Sequence, residues 1–167
     1  MPAMSQDART IVVVGGVAGG ASAAARARRM NEQAHIILLE KDDHVSFANC
    51  GLPYYIGGEI KQRSDLLVAT PQRFRDWFNV DVRTRHEALA IDRQARALTV
   101  RNHAGGEDYT LSYDRLILAP GAAPIMPEVD GMDAPNVFTL RNLADTDQIK
   151  AYIDEARPRR VTVVGAG

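Results

Sequence analysis

The sequence predicts an α/β protein: a doubly wound βαβ sheet of parallel strands into which a small antiparallel β-meander is inserted. Two continuous apolar runs, Thr10 to Val14 and His35 to Glu40, flank an Ala-rich stretch, as in a strand, helix, strand unit whose strands are covered on both faces. Residues 80 to 113 instead alternate apolar with polar, the period of strands with one face in solvent. The closing VTVVGAG repeats the opening theme of β-branched run and glycine turn.

Taken in order, Thr10 to Val14 is a buried strand stopped by Gly15, Ala18 to Met30 a helix, and His35 to Glu40 the second strand. A short helix is expected after Asn49 and is closed by Gly57-Gly58. Thr70 followed by Pro71 reads as an N-cap and first helical position, with Phe74, Trp77 and Phe78 forming an apolar face. VDVRT, ALAIDR, ALTVRN and DYTLSY are assigned to the meander, with Gly105-Gly106 as a hairpin turn. Leu116 to Ala119 returns to the buried-strand style, and Asn142 caps a helix running from about Leu143 to Ala156.

Composition narrows the function classes. With 167 residues, 46% hydrophobic and 25% charged, the chain can bury a core. A formal net charge of −1 gives no field to gather nucleic acid or anionic lipid, so any anion must be bound locally. A single cysteine cannot form an internal disulfide, which fits a reducing cytoplasm. The stretch from Ile11 to Ala25 is too short and too rich in glycine to cross a bilayer, and RARR continues a helical repeat rather than a cleavage site. His35, His44, His86 and His103 lack metal-ligand spacing, so no metal site is expected.

Chemistry concentrates at three places. The loop Gly15-Gly16-Val17-Ala18-Gly19-Gly20 sits where a strand turns into a helix, the arrangement that lets backbone N–H groups approach a pyrophosphate. Val17 occupies the middle position of G-x-G-x-x-G, a departure from the motif. Glu40 closes the next strand twenty residues after Gly20, where a carboxylate can accept ribose hydroxyls, with Lys41 beside it. The turn Ala119-Pro120-Gly121 ends another strand and opens toward the same sheet edge.

The third place is SFANCGLPYY. If Asn49 caps a helix, Cys50 stands at its positive end, where a thiol's pKa falls and the thiolate is favoured. The alternative is that Cys50 is a small buried hydrophobe. Ser46 and Asn49, polar residues without a periodic role, favour a site.

The combination of GGVAGG, LLEKD, SFANCGLPYY, TPQRF, HEALAID and LILAPGAAP resembles the N-terminal part of the coenzyme A-disulfide reductases. These form, with NADH-dependent persulfide reductases, the single-cysteine branch of the FAD-dependent pyridine nucleotide-disulfide oxidoreductases. The resemblance runs from about Thr10 to the final glycine. It implies a Rossmann-like FAD-binding sheet over residues 1–156, completed by a later segment of a longer chain, and in 157–167 the first strand and glycine turn of an NAD(P)H-binding domain.

The resemblance also implies residue roles. Gly15, Val17, Ala18 and Gly20 would bind FAD, with Val17 normal for this branch. Glu40 would hold the ribose, the backbone near Ala88 the adenine, and Ala119, Pro120 and Gly121 the other side of the flavin nucleotide. Cys50 would be the redox residue, alternating between thiolate and a mixed disulfide with coenzyme A, or a persulfide, while NAD(P)H reduces the flavin. Coenzyme A would meet Ser22, Arg26, Arg29, Ser46 and Asn49. Dithiol relatives carry a second cysteine where this chain has Tyr55, so the oxidised partner must come from outside the chain. A basic residue that some relatives use at the end of the Thr70 helix meets Trp77-Phe78 here, which leaves a smaller polysulfide or persulfide substrate open.

The implied protein is a cytoplasmic, homodimeric flavoenzyme with a small-molecule substrate and no nucleic-acid or membrane partner. Two alternatives remain: an NADH oxidase or peroxidase using a cysteine sulfenic acid, and a non-catalytic dinucleotide-binding module. Relatives of the first kind place a histidine where this chain has Ala18.

Overall fold

A computed structural model describes residues 8–165. The chain runs β1 (Thr10–Val14), α1 (Ala18–Met30), β2 (His35–Glu40), α2 (Leu52–Ile56), α3 (Pro71–Phe78), β3 (Val80–Thr84), β4 (His86–Asp92), β5 (Ala97–Asn102), β6 (Glu107–Ser112), β7 (Arg115–Leu118) and α4 (Leu143–Ala156). Short 3₁₀ turns occupy Asn49–Gly51 and Arg63–Leu66. Contacts divide the chain into two units: Met1–Phe47 with Leu67–Gly121, and Ala48–Leu66 with Ala122–Gly167.

The first unit holds both sheets. Four strands lie in the order β3-β2-β1-β7, all parallel. Period-2 alternation splits the continuous apolar runs of β1 and β2 between two faces. Val13, Ile36 and Leu38 pack against Ala21 and Ala24 of α1 and Phe74 of α3. Val12, Ile37 and Leu39 pack against Leu98 and Val100 of the antiparallel sheet β4-β5-β6. The meander thus covers the face where a fully doubly wound fold places helices, and the α/β class with its inserted meander is as expected.

Three expectations need correction. VDVRT is not in the meander: it is β3, paired in parallel with β2 from Ile36↔Val80 to Glu40↔Thr84. Alternation cannot separate the two cases, because an edge strand of a parallel sheet also has a wet side. Val80 and Val82 are buried, while Arg83 donates to Asp81 and to the Tyr109 hydroxyl. Nor is Trp77 part of the apolar face of α3. Phe74 and Phe78 meet the core at i, i+4, and Trp77 is 66% exposed. The strand expected at Leu116 to Ala119 is β7, one residue earlier, and Leu118 is exposed because the strand pairs with β1 alone.

Local signals set the helix ends. Thr70 Oγ1 accepts from the Arg73 N–H at 3.2 Å, capping α3 behind Pro71. Arg28 binds the other end of α3, donating to the carbonyls of Phe78 and Asn79, both at 2.8 Å.

In the second unit, Asn142 and Asp145 form a reciprocal capping box at the start of α4. Arg63 forms a two-pronged pair with Asp147 of α4, at 2.7 and 2.8 Å, and this hydrogen bond is the main cause of a guanidinium pKa held above its ordinary value. Residues 157–165 form no strand, and Val161, Val163 and Val164 are exposed, since a strand exists only with a partner to bond to. Of the expected glycine turn there, Ala166 and Gly167 lie outside the described residues. No helix among the described residues is long and apolar enough to cross a membrane.

Candidate functional site

The glycine loop of the first unit is built by close packing. Gly15 follows β1 with φ +95°, a left-handed value, and donates its N–H to Leu39 O at 2.8 Å. A Cβ there would stand 2.0 Å from Ala119 O. A Cβ on Gly20 would stand 1.7 Å from Gly15 O. Glycine is therefore required at both positions by backbone meeting backbone. The first and second glycine turns lie side by side, as expected of Gly15 to Gly20 and Ala119 to Gly121. Ala119 donates to Val14 O at 2.8 Å, and Gly121 has φ +73°.

Val17 is the N-cap of α1 and contributes no side-chain cap, and the first turn carries no acidic residue. Ala18 and Gly19 are exposed. The thirteen-residue helix consequently presents uncapped N–H groups and its positive end at the sheet's carboxyl edge, the arrangement that suits a phosphate.

Glu40 is 6% exposed, and its carboxylate is fastened at both oxygens. Oε2 accepts from the Gly16 N–H at 2.7 Å and Oε1 from the Asp42 N–H at 2.9 Å. An ionised carboxylate offers about four acceptor positions, so two remain for hydroxyl donors. Lys41 is exposed. Ala88 of β4 packs on the cluster containing Val14 and Leu39, the residues next to the glycine loop and Glu40.

Ser46 joins this cluster. Its N–H donates to Gly16 O at 2.8 Å, its carbonyl accepts from Val68 and Ala69, and its φ is +50°, uncommon for a residue with a Cβ. Ser22, Arg26 and Arg29 fall at i, i+4, i+7 on the exposed side of α1, and the two arginines form no ion pair or hydrogen bond among the described residues.

Asn49 and Cys50 belong to the second unit, where the expected geometry needs correction. Asn49 does not cap a helix: it opens the 3₁₀ turn Asn49–Gly51, closed by Gly51 N–H to Ala48 O at 2.9 Å, and α2 begins only at Leu52. Gly51 is confined, since a Cβ would stand 2.8 Å from a Leu66 methyl, and the tighter turn brings the backbone against Leu66. Cys50 is exposed, which contradicts the buried-hydrophobe alternative. The Asn49 Oδ1 atom is buried without a hydrogen-bond partner among the described residues, an acceptor whose desolvation is uncompensated.

Sequence reasoning singled out Glu40 but not its donors, the Gly16 and Asp42 N–H groups, because a backbone N–H leaves no mark on residue type. It also missed the pairing of Trp77 with Arg73, whose guanidinium carbon lies 4.4 Å from the indole centroid. The i, i+4 spacing was the available signal. No group of three or more His, Cys, Asp or Glu among the described residues could hold a metal ion.

Comparison with known proteins gives consistent matches. The family model described as pyridine nucleotide-disulphide oxidoreductase matches residues 9–167. A coenzyme A disulfide reductase of Staphylococcus haemolyticus is 45% identical over 159 residues, covering 95% of this chain and 36% of that protein. Among solved structures, reduced Bacillus anthracis CoADR-RHD superposes with a TM-score of 0.89 at 54% identity, covering 91% of this chain and 28% of that one. The NAD-dependent persulfide reductase from A. fulgidus gives 0.83 at 35%, covering 87% and 27%. The chain thus spans about a third of the length of the curated relatives it matches.

Proposed function

This chain belongs to the pyridine nucleotide-disulphide oxidoreductases, and from that premise we propose that it is the N-terminal part of an FAD-dependent NAD(P)H oxidoreductase that reduces coenzyme A disulfide through Cys50. In this reading residues 1–156 form most of the FAD-binding domain and 157–167 begin the NAD(P)H-binding domain. The full-length enzyme is a cytoplasmic homodimer.

The observation that carries the reading is the cradle formed by the glycine loop. The glycines that a Cβ would block, the uncapped start of α1 and the anchored Glu40 match the needs of a dinucleotide: close backbone approach, N–H groups for a pyrophosphate and an acceptor for ribose. Gly15, Val17, Ala18 and Gly20 would hold the pyrophosphate, Glu40 with Lys41 the adenosine side, Ala88 the adenine, and Ala119, Pro120 and Gly121 the flavin side. FAD, when bound, supplies the relay that passes two electrons from the nicotinamide to sulfur.

Cys50 is the redox residue in this reading, and its exposure supports it. The thiolate Sγ attacks one sulfur of the substrate disulfide. The S–S bond breaks, one coenzyme A leaves as thiolate and takes a proton, and Cys50 is left in a mixed disulfide with the other. Two electrons originating in NAD(P)H cleave that bond, returning the Cys50 thiolate and a second thiolate that is protonated. Asn49 would contact the substrate arm beside Cys50. Ser22, Arg26, Arg29 and Ser46 would contact the remainder of coenzyme A.

The test is the flavin spectrum of the full-length protein. NADH should bleach it, and coenzyme A disulfide should restore it faster than polysulfide or hydrogen peroxide does. Restoration by peroxide or oxygen in preference to the disulfide would replace this reading by an oxidase or peroxidase.

A further inference from the structure

Cys50 is exposed, so the place of its sulfur is set by the backbone of the turn that carries it, Asn49–Gly51. Both flanks of that turn rest on Leu66. The Ala48 N–H donates to Leu66 O at 2.8 Å, and Gly51 lies so near the Leu66 side chain that a Cβ would stand 2.8 Å from its methyl. Leu66 is fully buried and ends the second 3₁₀ turn, Arg63–Leu66. The cysteine turn is therefore only as fixed as the turn beneath it.

Arg63 opens that second turn and ties it down. Its Nε donates to Asp147 Oδ1 at 2.7 Å and its Nη2 to Oδ2 at 2.8 Å, two parallel bonds to a carboxylate on α4, a helix whose start is fixed by the capping box of Asn142 and Asp145. A planar fork on a planar carboxylate sets an orientation as well as a distance. α2, which follows the cysteine turn, also packs beside α4. The two side chains are 35% and 43% exposed, and ion pairs in contact with water contribute little to global stability. What this pair supplies is registration: across 84 positions of sequence it fastens the turn under Cys50 to a helix.

Attack on a disulfide demands a thiolate held in line with the bond that breaks, and a misplacement of an ångström costs about a hundredfold in rate. We propose that Arg63 and Asp147 are positioning residues for the reaction, a clamp that holds Cys50 Sγ where the substrate disulfide arrives. The inference rests on the reading of Cys50 given above and deepens it. In the step concerned Sγ forms a bond to one substrate sulfur, the substrate S–S bond breaks, and the other half leaves as thiolate and takes a proton. Arg63 and Asp147 act on this step through Leu66 and the turn it supports, and take no part in the sulfur chemistry.

The experiment uses the full-length enzyme, reduced with NADH and freed of the excess. Mass spectrometry follows the rate at which coenzyme A disulfide places coenzyme A on Cys50, and a second assay follows alkylation of the same thiol by iodoacetamide, a small reagent with little demand on orientation. Arg63→Gln should slow mixed-disulfide formation by up to about a hundredfold, while alkylation, flavin content and Tm stay near wild type. Asp147→Asn should show the same loss, and the double variant should be no slower than either single one, as two groups of one interaction require. Wild-type rates in both single variants, losses that multiply in the double variant, an equal loss toward iodoacetamide, or a fall in flavin content or Tm that tracks the rate would each overturn the clamp and leave the role of Cys50 intact. A wild-type enzyme that forms no disulfide at Cys50 would overturn both.

Discussion

The carboxylate of Glu40 accepts the Gly16 N–H at 2.7 Å, so the end of β2 fixes the loop that follows β1. With its other oxygen on the Asp42 N–H, this one side chain organises both turns at the sheet's carboxyl edge. The loop is consequently shaped before any nucleotide arrives, which lowers the cost of ordering it on binding.

Replacing Glu40 by glutamine keeps the shape and turns one acceptor into a donor facing a backbone N–H. Leaving a buried N–H unpaired costs about 1–3 kcal/mol. Chemical denaturation of Glu40→Gln should show a loss in that range, and the purified full-length variant should carry less flavin. Unchanged stability would mean that the carboxylate does not hold the loop.

Two neighbouring glycines should respond in opposite directions. Gly20→Ala puts a methyl 1.7 Å from Gly15 O, a backbone clash that side-chain movement cannot relieve. A loss of about 2–3 kcal/mol is expected. Gly19→Ala meets only the Ala119 methyl, at 3.6 Å, and lies inside α1, where alanine is favoured over glycine by up to about 1 kcal/mol. Thermal unfolding should therefore lower Tm for the first and hold or raise it for the second.

In the meander, Arg101 donates to Asp108 at 2.9 Å through both Nε and Nη2, and this hydrogen bond holds the Asp108 carboxyl below its ordinary value. The folded group is the stronger acid. Its contribution to stability is thus present above the unfolded carboxylate pKa, about 3.9, and is lost as pH falls through the lower folded value. Both groups are solvent-accessible, so salt should weaken the effect. An NMR titration should give Asp108 a midpoint below that of a free aspartate, and Arg101→Gln should return it to normal.

Much of the fold was legible because its signals are local. β1, α1, β2 and α4 begin and end where β-branched runs, glycines and the Asn142 cap place them. β3 was not, since pairing in parallel with β2 depends on partners some forty residues away while the alternation of VDVRT is the same in either sheet. The site was legible where backbone crowding demands a residue type, at Gly15 and Gly20. It was obscure where the determinant is a turn type. The 3₁₀ turn that exposes Cys50 and buries Asn49 Oδ1 follows from Gly51 packing on Leu66, a contact across fifteen residues.

The central claim is that Cys50 carries the substrate sulfur, and mass spectrometry of the full-length enzyme tests it most directly. After exposure to coenzyme A disulfide without NAD(P)H, one coenzyme A should be found in disulfide linkage to Cys50, released on adding NADH and absent from Cys50→Ser, which should still bind FAD. An unmodified Cys50 in an enzyme that turns over coenzyme A disulfide, or undiminished turnover by Cys50→Ser, would contradict the account.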